Sequence, residues 1–173
     1  MATSTMSESR EVRCYDYVPV PYDRVRELLR SDAAGIFARA TASAKDRARE
    51  LMATLRLNVG PVEFGVDVQL QIRPVVDEVS AVGDPQTRLD FTWQAAQSAG
   101  FFPTMEATLG VYALSPRETQ LDLHGRYRPP LGTLGTAIDA TVGHRVAEAT
   151  LLRLLRDVRT AIMTELGAGS GPN

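Results

Sequence analysis

Residues 105–127 read Met-Glu-Ala-Thr-Leu-Gly-Val-Tyr-Ala-Leu-Ser-Pro-Arg-Glu-Thr-Gln-Leu-Asp-Leu-His-Gly-Arg-Tyr, and the alternation inside this stretch decides the fold. Met105, Ala107, Leu109, Val111 and Ala113 take every second position, as do Leu121, Leu123, Gly125 and Tyr127 beyond Ser115-Pro116. A period of two sends these side chains to one face of a strand and the intervening residues to the other. The Ser-Pro pair between them is a turn signal. The stretch predicts two antiparallel strands that share one apolar face.

Working outward towards the N-terminus, the alternation recurs. Leu89, Phe91, Trp93 and Ala95 keep the phase, and Val62, Phe64, Val66, Val68, Leu70 and Ile72 alternate with Glu63, Gly65, Asp67, Gln69, Gln71 and Arg73. The latter run predicts one half-buried strand with room for a break. Gly83-Asp84-Pro85 and residues 100–103 supply the turns of an antiparallel meander. Further upstream, Val12, Cys14, Tyr15, Tyr17 and Val18 read as a short strand closed by Pro19 and Pro21. Pro21 suits a first helical turn, and Val25, Leu28 and Leu29 give a short helix. A second helical segment is expected from Asp32 to Leu57, with a capping signal at Ser43-x-x-Asp46 and a stripe of Ala44, Ala48, Leu51 and Leu55.

On the C-terminal side, Pro129-Pro130-Leu131-Gly132 precedes a long helix from Thr133 or Thr136 to Leu166, reaching about 45 Å at the usual rise. No other element is left to cover the sheet, so this helix is expected to do so alone. Leu151, Leu155, Val158, Ile162 and Leu166 form one stripe. Nearer the start the apolar arc turns to Leu134, Ile138, Val142, Ala149 and Leu152, with Arg145 at its centre. A guanidinium there either pairs with Glu148 three residues on, or points into a cavity.

Composition narrows the classes. The 173 residues predict one domain, 44% hydrophobic and 23% charged, with 19 basic and 21 acidic side chains. A net charge of −2 excludes the basic footprint of a nucleic-acid partner. Lys45 is the only lysine among those 19, a skew that a GC-rich bacterial codon usage produces. Cys14, His124 and His144 are too few for an ordinary zinc cluster, so no metal is expected. No phosphate loop is present, and Gly132-x-x-Gly135 lacks the dinucleotide spacing, so no cofactor is expected. Residues 1–10 lack the apolar core of a secretory signal, and no run approaches the roughly 18 residues of a membrane span. The expectation is a cytoplasmic domain over residues 11–166, with disordered ends at 1–10 and 167–173. Nothing in the pattern settles oligomeric state.

This order of a strand, helices, an antiparallel meander and a long closing helix resembles the helix-grip fold, an α+β architecture in which a curved sheet wraps a C-terminal helix. The chain resembles the START-like (SRPBCC) superfamily, in its polyketide cyclase/dehydrase and lipid-transport group. The resemblance rests on the Pro21-x-x-x-Val25 helix entry, on Leu121-x-Leu-x-Gly-x-Tyr127-Arg-Pro-Pro-Leu-Gly-Thr-Leu-Gly135, and on Asp139-Ala-Thr-Val-Gly-His-Arg-Val-Ala-Glu-Ala149. It implies a cavity for an apolar ligand where helix and sheet separate.

The residues are compatible with such a cavity. Gly135, Ala137, Ala140, Gly143 and Ala149 are small, and the inward phase brings Phe91, Trp93, Met105, Leu109, Leu123 and Tyr127 opposite Ile138, Val142 and Arg145. Ordinary core packing is the competing role for each aromatic. Asp67, Asp90, Glu106, Asp122 and His124 fall on the outward phase, which leaves Tyr15, Asp16, Tyr17, Asp139, His144 and Arg145 as polar candidates. Three readings stay open. One is binding of a hydrophobic or amphipathic small molecule. Another is a polyketide cyclase/aromatase-like enzyme, with Arg145 or Tyr127 polarising a carbonyl. The third is an interaction module with a filled core.

Overall fold

Among the described residues the alternating runs form strands, and every pairing between them is antiparallel. A computed structural model of the chain describes residues 10–59, 68–95, 104–128 and 140–168. Along the chain these form β1 (Arg10–Val18), α1 (Tyr22–Val59), β2 (Val68–Ile72), β3 (Val76–Val79), β4 (Pro85–Ala95), β5 (Thr104–Ser115), β6 (Glu118–Arg128) and α2 (Ala140–Ala168). Among the described residues six strands make one sheet in the order β1-β6-β5-β4-β2, with β3 also on β4. The 62–67 part of the first alternating run, the 100–103 turn and the expected helix start at 133–139 lie outside the described residues.

Register follows the apolar phase. One inward row runs Val12, Gly125, Ala107, Phe91, Ile72, and the next runs Cys14, Leu123, Leu109, Leu89. Gly83, at φ 94°, closes the β3–β4 hairpin in a conformation that favours glycine. β3 itself was not foreseen. Pro74 has no N–H and breaks the edge ladder just after Arg73 N–H donates to the Asp90 carbonyl at 2.8 Å. Beyond it Val76 and Val79 are 43% and 71% exposed, so no alternation announces a strand.

α1 is one run of helix with a break at Asp32, whose backbone (φ −146°, ψ 41°) is not helical. The boundary expected at Asp32 is therefore real, but the cap is Asp32 itself. Its carboxylate accepts the Gly35 N–H at 3.1 Å. A Cβ on Gly35 would lie 2.3 Å from that carboxylate, so glycine is what lets the cap close. Ser43-x-x-Asp46, read as a capping signal, falls inside the helix and starts nothing.

A larger correction concerns what covers the sheet. α2 does lie on it, with Leu151, Leu155, Val158 and Ile162 all at most 1% exposed and Leu166 half-buried, as its stripe predicts. It does not act alone. Val25, Leu29, Ile36, Phe37 and Ala40 of α1 are buried in the same core, and α1 packs along α2. Phe37 brings its ring 4.9 Å from that of Phe91 on β4. The expectation overlooked α1 because periodicity reports an apolar face without saying what the face meets.

Candidate functional site

The inner face is where the sequence places a ligand. Phe91, Met105, Leu109 and Leu123 are 2%, 5%, 0% and 2% exposed, and all four belong to the core. Gly125 lets α2 come down on β6: a Cβ there would sit 2.7 Å from Leu151 Cδ1 and 3.3 Å from Met105 Sδ. The next row along the sheet joins Trp93, Met105, Tyr127 and Arg10 by backbone register. The side chains of Trp93 and Tyr127 lie outside the described residues. So do those of Val142 and Arg145, which belong to the first turns of α2, and the whole of Ile138. The choice between an Arg145–Glu148 pair and a cavity-facing Arg145 thus stays with the sequence.

Among the described residues, titratable groups on the inward phase are few and occupied. Asp16 lies 3.7 Å from Arg159 Nε, which also donates to the Tyr17 carbonyl at 2.7 Å along the outer edge of β1. Cys14 is buried, and burial pushes its thiol up to about 11. Because the thiolate is the reactive form, the native chain at pH 8 should resist iodoacetamide and label fully once unfolded in urea. Equal rates in both states, by mass spectrometry, would contradict this burial. Tyr15 is 60% exposed and Tyr17 36%, both on the outer face.

That outer face carries the charge. Asp90, Glu106, Asp122 and His124 all point outward, as their phase predicts. Arg13 Nε donates to Asp122 Oδ1 at 2.9 Å, and Arg126 Nη2 to Glu11 Oε1 at 2.8 Å. His124 Nε2 lies 3.7 Å from Glu11, in an exposed contact of little energetic weight. Two open hollows lie on this face, of about 300 Å³ around Thr92 and Thr108 and about 680 Å³ around Gly110.

A polar network that single-element reading missed ties α1 to the sheet edge. Arg26 Nε and Nη2 donate to Asp77 at 3.0 and 2.6 Å, and Arg30 adds a further short contact. Thr87, fully buried, donates to Asp77 Oδ1 at 3.0 Å and meets the Tyr22 hydroxyl at 2.8 Å. The hydrogen bonds from Arg26 hold the Asp77 carboxyl far below the ordinary carboxylate range, against the opposing effect of its burial. A depressed folded pKa contributes stability that is complete above the ordinary value, at about pH 4, and fades as pH falls towards the folded one. Asp77→Asn should therefore lower the urea midpoint at neutral pH, and the gap from the parent should narrow on acidification towards about pH 2. A gap that stays constant would show that Asp77 contributes no charge-dependent stability.

No family model and no curated protein matches the chain in sequence. Solved structures do match it in shape. A protein of Thermus thermophilus is 16% identical with a TM-score of 0.50, over 94% of this chain and 100% of its own. The Zhui aromatase/cyclase of Streptomyces sp. R1128 is 17% identical with a TM-score of 0.50, over 95% of this chain and 99% of its own. With the order β1-β6-β5-β4-β2 and α2 across the inner face, these likenesses give the chain the helix-grip fold. Among the described residues no helix is long and apolar enough to cross a membrane.

Proposed function

We propose that the chain binds a hydrophobic or amphipathic small molecule, lipid- or polyketide-like, between the sheet and the N-terminal half of α2. Trp93, Met105, Tyr127, Ile138, Val142 and Arg145 would line the site, with Phe91, Leu109 and Leu123 as its floor. One observation supports this most: the two faces of the sheet are chemically segregated. The inner rows through Val12 and Cys14 are apolar from β1 to β4, and the charged side chains of β4, β5 and β6 stand outward. Tight cover by α2 is seen at Leu151 over Gly125, and the row of Trp93, Met105 and Tyr127 lies one step beyond. Apolar hollows with one or two placed polar groups are the usual sites for such ligands.

Chemistry in that site is the second reading, favoured by a likeness to an aromatase/cyclase that spans 95% of this chain. It would depend on Arg145 or Tyr127 to polarise a carbonyl, because Asp16 is engaged by Arg159. Trp93 is the sole tryptophan, so its emission reports on the site directly. Oleate or a tricyclic aromatic polyketide should shift that emission and raise the melting temperature. Native mass spectrometry of freshly purified protein should show a retained mass. If emission, melting temperature and mass are all unchanged, the binding reading fails. Conversion of a linear polyketone that Arg145→Ala abolishes, with binding retained, would establish the second.

A further inference from the structure

Gly110 takes an outward position in the middle of β5, where neither a bulge, a positive φ nor crowding requires a glycine. The register shift in β5 lies at Ala113/Ser115, and the positive-φ glycine among the described residues is Gly83. A Cβ on residue 110 would meet only the Asp122 carbonyl at 3.6 Å and Asp122 Cβ at 3.9 Å, which is ordinary contact. Gly125 differs, since Leu151 occupies the space its side chain would need. Glycine weakens a strand interior, and without a bulge or crowding it marks either a bend of the strand or a place where something else approaches the backbone.

The surroundings indicate what approaches. Gly110 forms the floor of the hollow of about 680 Å³. Arg88 stands opposite it on β4, Asp122 on β6, and Tyr112 two residues along β5. Arg13 is held by Asp122, and Arg88 by Glu78 at 2.9 Å and Asp90 at 3.3 Å. The carboxylates fix both guanidiniums at their edges and neutralise them. The side chains remain 69% and 45% exposed. A guanidinium fixed in this way offers a plane on which an aromatic ring stacks. We propose that the outer face binds a flat, uncharged aromatic small molecule, laid on the Gly110 backbone and stacked by Arg13, with Arg88 and Tyr112 at its edge.

This site is separate from the inner one, and acridone, a neutral planar tricycle, can test it on the full chain. Titration should shift the backbone amides of Gly110 and Asp122 in the NMR spectrum. Gly110→Val should weaken acridone by about tenfold or more and keep or raise the melting temperature, since valine suits a strand and has room. Arg88→Leu should weaken acridone with the spectrum otherwise preserved. Three outcomes would overturn the proposal. Acridone could fail to move the Gly110 amide. It could bind Gly110→Val as tightly as the parent. Or Gly110→Val could melt well below the parent, which would assign the glycine to sheet curvature.

Discussion

Phe91→Ala is expected to lower stability by about 3–5 kcal/mol, seen as a fall in urea midpoint at unchanged slope. Phe91 is 2% exposed and its ring meets Phe37 of α1 at 4.9 Å with the planes tilted by 59°. Truncation removes the buried ring and leaves a void between a strand and a helix held together elsewhere. Phe37→Ala should cost about as much, and the double variant should reveal a coupling of about 0.5–1.5 kcal/mol, the range for a paired aromatic contact. A loss under about 1 kcal/mol for Phe91→Ala would mean the ring already borders open space. Phe91 would then be a ligand contact more than a core residue. The measurement therefore bears on function as well as on packing.

Gly125→Val should be the other severe change. The first added carbon already falls 2.7 Å from Leu151 Cδ1, and Leu151 is fully buried. Overpacking of this kind costs about 1–3 kcal/mol, and the β-branched side chain places it at the upper end. The clash is specific, so a second change can relieve it. Leu151→Ala alone should cost about 2–5 kcal/mol. Combined with Gly125→Val, it should cost less than the sum of the two. Strict additivity, or an unchanged midpoint for Gly125→Val, would show that α2 is not seated on β6 at this point. The same variant lifts α2 beside the row of Trp93 and Tyr127. Under the proposed function, the ligand-induced change in Trp93 emission should therefore be altered even in protein that remains folded.

Much of this was legible in the chain before any coordinates. β5 and β6 could be read residue by residue because each has one dry and one wet face, and alternation records that directly. Phe91, Met105, Leu109 and Leu123 were assigned inward by phase, and inward they are. The outward placement of Asp90, Glu106, Asp122 and His124 followed from the same phase. β3 was illegible because an edge strand with exposed valines has no dry face to announce it. The break at Asp32 was found, but its cap was misplaced at Ser43, since a Ser-x-x-acid pattern occurs as easily inside a helix as at its start. Asp77 and Thr87 carried no signal. Their significance lies in partners on α1, and nothing local to β3 or β4 predicts Arg26, Arg30 or Tyr22.

By itself the sequence determined phase: which residues of each strand and helix face inward, where turns interrupt them, and hence an antiparallel sheet with a long closing helix. Phase is a local property, set by the alternation of strands and the 3.6-residue turn of helices. The tertiary structure alone decided which surfaces meet. It brought α1 onto the sheet at Phe37 and Phe91, seated Leu151 in the space left by Gly125, and set an uncrowded Gly110 beneath an ionic rim. Such meetings join residues far apart in the chain. They are settled by shape and volume when the layers close, and periodicity along one segment does not encode them.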